Sequence, residues 1–153
     1  MVVSIKAPDV PLTVAANRVF ARQSDLPLHL GITEAGMGRA AAVRAAAGLA
    51  ILLSDGIGDT IRVSMTDPPE DEAEVGVQIL RSLDLRQGPW LISCPTCGRC
   101  QVDMRPIASQ VAEALRTITA PLAVAVMGCE VNCPGEARQA DIGIACRRGR
   151  AVL

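Results

Sequence analysis

The chain has 153 residues, half of them hydrophobic, with a formal net charge of −1 at pH 7. This is enough for one ordinary domain or two small ones with a real core, and the missing basic block argues against nucleic-acid binding by an electrostatic patch. No signal peptide and no apolar window long enough to cross a bilayer is visible, so we expect a cytoplasmic protein with reduced thiols and no membrane partner.

The first half of the chain predicts three strand–helix units in sequence. Asp67, Pro68 and Glu70 supply an N-cap, a first-turn proline and an N3 acid for the third helix. Helices of this length permit right-handed crossovers between parallel strands, so the order is typical of a parallel α/β fold. The predicted strands are 2–5, 27–32 and 60–65, and the predicted helices are 9–22, 38–54 and a third that begins at 68. One face of the third helix is expected to carry Ala73, Gly76, Val77 and Leu80.

Polar residues lie at or just beyond the end of each of these predicted strands, although Arg62 and Ser64 could also be strand residues that face outward. Ligands of parallel α/β folds bind at the carboxyl ends of the strands, so the pattern favours a binding site there. Lys6 is the only Lys beside fourteen Arg, which either marks a place too narrow for a guanidinium or is chance. His29, alone on a strand, is interpreted as a core histidine with a hydrogen-bond partner. The strand-end residues are Lys6, Thr33, Glu34, Arg62 and Ser64.

Beyond a linker at 84–89 the pattern changes to a small α+β domain. We therefore predict an α/β domain over residues 1–88 followed by an α+β domain over residues 89–153. The second domain is predicted to contain strands at 90–93, 122–127 and 142–146, a helix at 106–118 with one apolar stripe, and a hairpin turn at 147–149.

The six cysteines are concentrated in this second domain. Two groups follow predicted strands, and thiolates in a reducing compartment indicate a metal site. Four assignments remain open: a structural zinc site, a ferredoxin-type cluster, the cluster signature of sirohaem reductases, or a cluster bound by three Cys and one carboxylate. Cys146, alone on a strand, is interpreted as a core thiol. The candidate ligands are Cys94, Cys97, Cys100, Cys129, Cys133 and Glu136.

These residues lie within motifs that resemble the 4-hydroxy-3-methylbut-2-en-1-yl diphosphate synthase family of the methylerythritol phosphate isoprenoid pathway. The similar stretches occur in the family's order and cover nearly the whole chain. They are Val3–Val10, Pro27–Gly36, Gly56–Ser64, Cys94–Cys97 and Gly128–Glu136.

The resemblance implies the last three strand–helix units of a TIM-type barrel, followed by a sulfite-reductase-like iron–sulfur domain. It implies a [4Fe-4S] cluster on Cys94, Cys97, Cys129 and Glu136. The implied reaction is the two-electron reductive ring opening and dehydration of 2-C-methyl-D-erythritol 2,4-cyclodiphosphate, with reduced flavodoxin or ferredoxin as electron donor.

The family's site residues carry over by motif. Lys6, Arg62 and Ser64 would bind the diphosphate, chemistry that needs fixed cations and hydrogen-bond donors. Thr33 and Asn132 would contact substrate, and Glu34 would be the acid/base residue.

Two departures from the family pattern affect these expectations. Cys133 replaces the family's usual Gly and competes with Glu136 as fourth ligand, and Cys100 is also unusual. An all-Cys cluster would favour a small electron-transfer module, and a zinc-stabilised binding module is a third class. A complete barrel takes about 250 residues, so the resemblance implies a homodimer, completion by a separate N-terminal barrel portion, or an inactive remnant.

Overall fold

A computed structural model describes residues 1–129, 135, 137–147 and 149–153. The described residues form two compact units, Met1–Arg86 and Gln87–Leu153. None of the helices in these described ranges is long and apolar enough to span a membrane.

The first unit alternates short parallel strand segments with helices. Val3 forms a parallel bridge to Leu28, and β1 pairs in parallel with β2 in the register His29↔Thr60 and Leu30↔Ile61. The predicted parallel α/β pattern is therefore confirmed. The elements are α1 (Val10–Ala21), β1 (His29–Leu30), α2 (Gly38–Ser54), β2 (Thr60–Ile61) and α3 (Pro69–Ser82).

The strands are shorter than predicted because the main chain soon leaves the ladder. Arg62 N–H still donates to the carbonyl of Leu30 at 2.8 Å. Three residues later, Met65 N–H donates instead to the Glu72 carboxylate at 2.7 Å. The strand predicted over 60–65 is therefore limited to Thr60–Ile61, and beyond it the main chain bonds to a side chain instead of a neighbouring strand. Val63 is still buried in the core.

The helices of this unit begin where their sequences indicate, with one exception. Asp9, where the first helix is predicted to begin, is the N-cap residue of α1, and its carboxylate accepts the Leu12 N–H at 2.6 Å. The predicted cap of α3 is wrong: Pro68 is the N-cap residue and makes no side-chain cap hydrogen bond. Asp67 instead accepts the N–H of Gly38, the first residue of α2, at 2.7 Å. A carboxylate there is also favoured by the positive end of the α2 dipole.

The predicted face of α3 is partly wrong. Gly76 and Ile79 are the residues of α3 that are buried, whereas Ala73 is exposed. Val77 and Leu80 are half-buried. The apolar residues of α3 form two adjacent stripes. The more deeply buried stripe contains Gly76 and Ile79, and Gly76 lies near Ile61 of β2 and Val63.

The second unit contains a four-stranded sheet in the order β3-β4-β5-β6. The first three strands are parallel and β6 returns antiparallel to β5, with Arg147 opposite Arg150 as the predicted hairpin requires. The elements are β3 (Trp90–Ser93), α4 (Met104–Leu115), β4 (Ala123–Met127), a 3₁₀ turn (Ala137–Gln139), β5 (Ile142–Arg147) and β6 (Arg150–Val152).

Helix α4 covers the sheet of this unit. Met104 and Leu115 are buried at its two ends, and Ile107, Val111 and Ile118 pack against the same core, which confirms the predicted apolar stripe. Buried residues along β4 make it the central strand of the core. The two cysteine groups follow the ends of β3 and β4 along the chain.

Candidate functional site

Two cationic side chains, Lys6 and Arg62, lie near His29 at the strand ends of the first unit. Lys6 follows the strand segment at Val3, His29 lies in β1, and Arg62 directly follows β2. Gly31 lies between them. A Cβ on Gly31 would be 2.8 Å from the Arg62 carbonyl oxygen and 3.2 Å from both Cε and Nζ of Lys6. The Lys6 ammonium therefore lies against the backbone of the neighbouring strand.

Lys6 and Arg62 carry like charges, and neither forms an ion pair with a carboxylate among the described residues. Burial and then the nearby Arg62 lower the pKa of Lys6. Burial, then Lys6 and Arg62, lower the pKa of His29. Such a pair of cations is suited to a bound anion, which would relieve the repulsion.

His29 has the hydrogen-bond partner that was predicted for it. Its Nδ1 lies 2.8 Å from Thr60 Oγ1 on the paired strand. The side chain is only half-buried, however. The interpretation as a core histidine is therefore incomplete, because the ring also faces two cations.

Thr33 and Glu34 lie in the loop that joins β1 to α2, and Ser64 lies just after β2. Glu34 is exposed and has a φ of 54°, a left-handed conformation that is uncommon for a residue other than Gly. The loop is held at its next residues, where Ala35 O accepts from Arg44 at 3.2 Å and Gly36 O accepts from Thr66 N–H at 2.9 Å. Backbone strain of this kind often accompanies functional positions.

Hydrogen bonds from Thr33, Glu34 or Ser64 to Lys6 or Arg62 are absent in the described part of the chain. All five predicted residues follow the same strand ends, but only Lys6 and Arg62 are brought into electrostatic contact. Gly31 was missed by the sequence analysis. A glycine inside a predicted strand is a sign of close backbone approach and could have identified it.

In the second unit, two cysteines follow the carboxyl ends of adjacent parallel strands. Cys94 comes directly after β3, and Cys129 lies just beyond β4. Both are buried, with 8% and 5% of their surface exposed. Cys94 Sγ accepts the N–H of Gly128 at 3.2 Å, so its sulfur reaches across to the loop that carries Cys129.

Cys97 lies in a tight turn beside these residues and is exposed. Its N–H donates to Pro95 O at 2.7 Å, and its carbonyl accepts from Cys100 N–H at 3.0 Å. A hydrogen bond from the Arg99 N–H is the main cause that lowers the pKa of the Cys97 thiol, while partial desolvation acts in the opposite direction. The turn thus favours the thiolate form, which is the form that binds metal.

The structure does not assemble these thiols into a finished metal site. Within the described residues, no group of three or more His, Cys, Asp or Glu side chains is arranged to hold a metal ion. Three predicted residues, Asn132, Cys133 and Glu136, lie outside the described residues. Cys146 is buried in the core of this unit, as predicted.

The donor set nevertheless fits an iron–sulfur cluster in its chemistry. Two buried thiols and one exposed thiol lie in loops at one end of the sheet, and N–H donation to a ligating sulfur is a feature of such clusters. The loop is also closely packed: a Cβ on Gly128 would be 2.6 Å from Cys100 Sγ and 2.8 Å from Met104 Sδ. A glycine there lets the backbone approach the cysteine turn.

Comparison with known families accounts for both units. Residues 1–77 match the model of the GcpE TIM-barrel domain. Residues 90–153 match that of the GcpE protein C-terminal domain.

Several curated proteins are similar to the chain over nearly its whole length. A protein of Geobacter sulfurreducens is 57% identical over 152 residues, which is 99% of this chain and 43% of that protein. Proteins of Aquifex aeolicus and Dehalococcoides mccartyi are 54% and 56% identical, with 43% and 44% of their length covered. All three are named 4-hydroxy-3-methylbut-2-en-1-yl diphosphate synthase (flavodoxin). The chain therefore spans less than half the length of these relatives.

Proposed function

Because the chain belongs to the GcpE family, we propose that it acts as the carboxyl-terminal part of a 4-hydroxy-3-methylbut-2-en-1-yl diphosphate synthase. This enzyme is an oxidoreductase of isoprenoid biosynthesis. The reaction opens the ring of 2-C-methyl-D-erythritol 2,4-cyclodiphosphate with two electrons and loss of water. In this proposal residues 1–88 are the last three strand–helix units of a TIM-type barrel, and residues 89–153 are a sulfite-reductase-like cluster domain.

The substrate would bind at the cationic strand ends of the first unit. Lys6 and Arg62 would neutralise the diphosphate, and Ser64 would donate a hydrogen bond to it. Thr33 and Asn132 would contact the rest of the substrate. Support for this site comes from the lowered pKa of Lys6 and the absence of any carboxylate ion pair at Lys6 or Arg62 among the described residues.

Glu34 would be the acid/base residue near the departing hydroxyl. Its carboxyl group is exposed on a loop whose following residues are anchored by hydrogen bonds. The left-handed backbone at Glu34 supports a functional rather than a structural reason for the residue.

A [4Fe-4S] cluster would be held by Cys94, Cys97, Cys129 and Glu136. When bound, the cluster would relay the two electrons of the reduction one at a time from reduced flavodoxin, the proposed donor, which the names of the relatives include. The buried Cys94 and its hydrogen bond from Gly128 support a fixed sulfur on this side of the site. We propose a cytoplasmic location, and assembly as a homodimer or with a separate N-terminal barrel portion.

The observation that carries the proposal is the pair of cations Lys6 and Arg62 beside His29, in a chain that also brings thiols to one end of a second sheet. Its first test is anaerobic reconstitution with iron and sulfide, followed by iron analysis and absorbance spectroscopy. Protein that retains neither iron nor an iron–sulfur absorbance band would refute the cluster.

The fourth ligand can be tested with a matched pair of variants. Glu136→Ala should lower the retained iron, while Cys133→Ala should keep it. The opposite result would indicate an all-Cys cluster and an electron-transfer module instead. Zinc in place of iron in the purified protein would indicate a structural binding module.

Substrate binding is tested separately from the cluster. Titration of the protein with the cyclodiphosphate should give a saturable signal that Lys6→Met and Arg62→Met each weaken. Unchanged affinity in both variants would place the diphosphate elsewhere.

A further inference from the structure

Two polar side chains of α1 are buried although a surface helix normally turns such residues to solvent. Thr13 is 1% exposed and Asn17 is fully buried. Among the described residues, these two are the polar or charged ones that are buried. They are four residues apart, so they lie on the same face of the helix. Burial of polar groups requires hydrogen bonds, and the partners of these two residues are therefore informative.

Both side chains bind the main chain on either side of Lys6. Asn17 Nδ2 donates to the carbonyl of Ile5 at 2.9 Å. Thr13 Oγ1 accepts the N–H of Ala7 at 3.1 Å and lies 3.1 Å from the carbonyl oxygen of the same residue. The peptide units before and after Lys6 are thus fixed by one helix.

These contacts replace a sheet ladder. The parallel pairing of this segment to its neighbour is recorded at Val3 with Leu28, and the described residues from Ile5 to Ala7 have no strand partner. Among the described residues, the last hydrogen bond before Lys6 that does not involve α1 is that of Ser4 Oγ to the His29 carbonyl at 3.0 Å, so Ile5 to Ala7 depend on the two side chains.

The hydrogen bonds of Asn17 also argue against a purely stabilising role. Nδ2 donates to two carbonyls, those of Ile5 and Thr13, so the orientation of the amide is fixed. Its Oδ1 is buried and has no hydrogen-bond partner among the residues that the structure describes. An unpaired buried acceptor destabilises the folded chain. The contact to the carbonyl of Ile5 is what an apolar residue at this position could not supply.

We propose that Thr13 and Asn17 are positioning residues. They fix the backbone on both sides of Lys6, so that its ammonium lies on Gly31 beside Arg62, where it receives a phosphate group. The phosphate-binding role of Lys6 rests on the proposed function above. The positioning role rests on the hydrogen bonds to Ile5 and Ala7.

The single Lys of the chain makes this proposal directly measurable. Protein labelled with ¹⁵N at lysine Nζ gives one side-chain resonance, whose pH titration reports on Lys6 alone. Affinity for inorganic pyrophosphate, measured by calorimetry on the full chain, provides the second readout. Both can be followed in Thr13→Val, which keeps the shape of the side chain and removes the hydroxyl, and in Asn17→Leu.

Each variant should raise the Kd for pyrophosphate about fivefold, the effect of losing one hydrogen bond that positions a charge. The Lys6 resonance should titrate closer to the ordinary pKa of lysine than in the wild type. Thr13→Ser keeps the hydroxyl and should restore both values.

Val14→Ala is the matched control, because Val14 is a neighbouring buried residue of α1 that makes no contact with the Lys6 segment through hydrogen bonds. It should lower the urea midpoint and leave the pyrophosphate Kd and the Lys6 titration unchanged. If Thr13→Val behaves like Val14→Ala in both readouts, the positioning role is refuted.

The design separates this proposal from the proposed function. Wild-type protein that does not bind pyrophosphate would refute the phosphate site, while the Lys6 titration would still test the positioning. An unchanged Lys6 titration in a folded Thr13→Val protein would overturn the positioning role even if pyrophosphate binds. Should Asn17→Leu fail to fold, Thr13→Val and Thr13→Ser remain decisive.

Discussion

Gly31→Ala tests the close approach of strands on which the cationic site depends. The added Cβ would lie 2.8 Å from the Arg62 carbonyl oxygen, a backbone atom that can move only with its strand. It would also lie 3.2 Å from Nζ of Lys6, so the ammonium would have to shift. Overpacking of this kind costs about 1–3 kcal/mol.

The matched control is the same substitution in α3. A Cβ on Gly76 would meet Val63 and Ile61 at 3.7 and 3.8 Å, ordinary contact distances. Since Gly in a helix interior is about 0.5–1 kcal/mol less favourable than Ala, Gly76→Ala should stabilise the chain. The two variants should therefore change stability in opposite directions.

Urea unfolding followed by circular dichroism measures both variants. With a slope of about 1–3 kcal/mol per molar for a small protein, Gly31→Ala should lower the midpoint by roughly 0.5–2 M, and Gly76→Ala should raise it slightly. Gly31→Ala should also weaken pyrophosphate binding, whereas Gly76→Ala should not. A midpoint for Gly31→Ala equal to or above that of the wild type would refute the close approach.

Three further outcomes are expected. The pKa of His29 is lowered in the folded chain, so the unfolded chain binds more protons below about pH 6.5 and the free energy of unfolding rises with pH through that window. His29→Gln should remove this part of the rise in the urea midpoint. If the urea midpoint rises equally with pH in the variant and the wild type, the lowered pKa is contradicted. Asp67→Ala should cost about 1 kcal/mol in urea unfolding, since its carboxylate caps the first N–H of α2 at 2.7 Å; a change within error would dismiss that cap. In metal-free protein, iodoacetamide should modify the exposed Cys97 before the buried Cys94 and Cys129, as peptide mass spectrometry can measure; equal rates would argue against the burial.

Much of the fold could be predicted because local chemistry and tertiary contacts agree. Asp9 marks the start of α1 in the sequence-based prediction and in the structure. The alternation of strands and helices likewise predicted the parallel pairing that the structure contains. The sequence failed at α3, where two apolar stripes are adjacent and only packing decides which one is buried. It also failed at Asp67, whose carboxylate caps the neighbouring helix, a long-range contact that no local pattern contains.

The candidate sites were less predictable, for a different reason. Spacing along the chain identifies the cysteines but not the directions of their sulfurs, and Cys97 is exposed while Cys94 is buried. Thr13 and Asn17 are polar residues on a surface helix, a pattern typical of solvent exposure. Their partners are backbone atoms near Lys6, and only the tertiary structure brings those atoms into reach.

Lys6 had two interpretations from sequence, chance or a place too narrow for a guanidinium, and the geometry favours the second. Its Nζ and Cε lie 3.2 Å from the position that a Cβ would take on Gly31. A slender stem with a compact charge fits over a glycine in this way, whereas a planar fork is wider. Arg62 already supplies a guanidinium beside it, and its charge contributes to the lowered pKa of Lys6. The pair therefore combines one fixed point charge with one bidentate donor, an arrangement that can contact two phosphate groups at once.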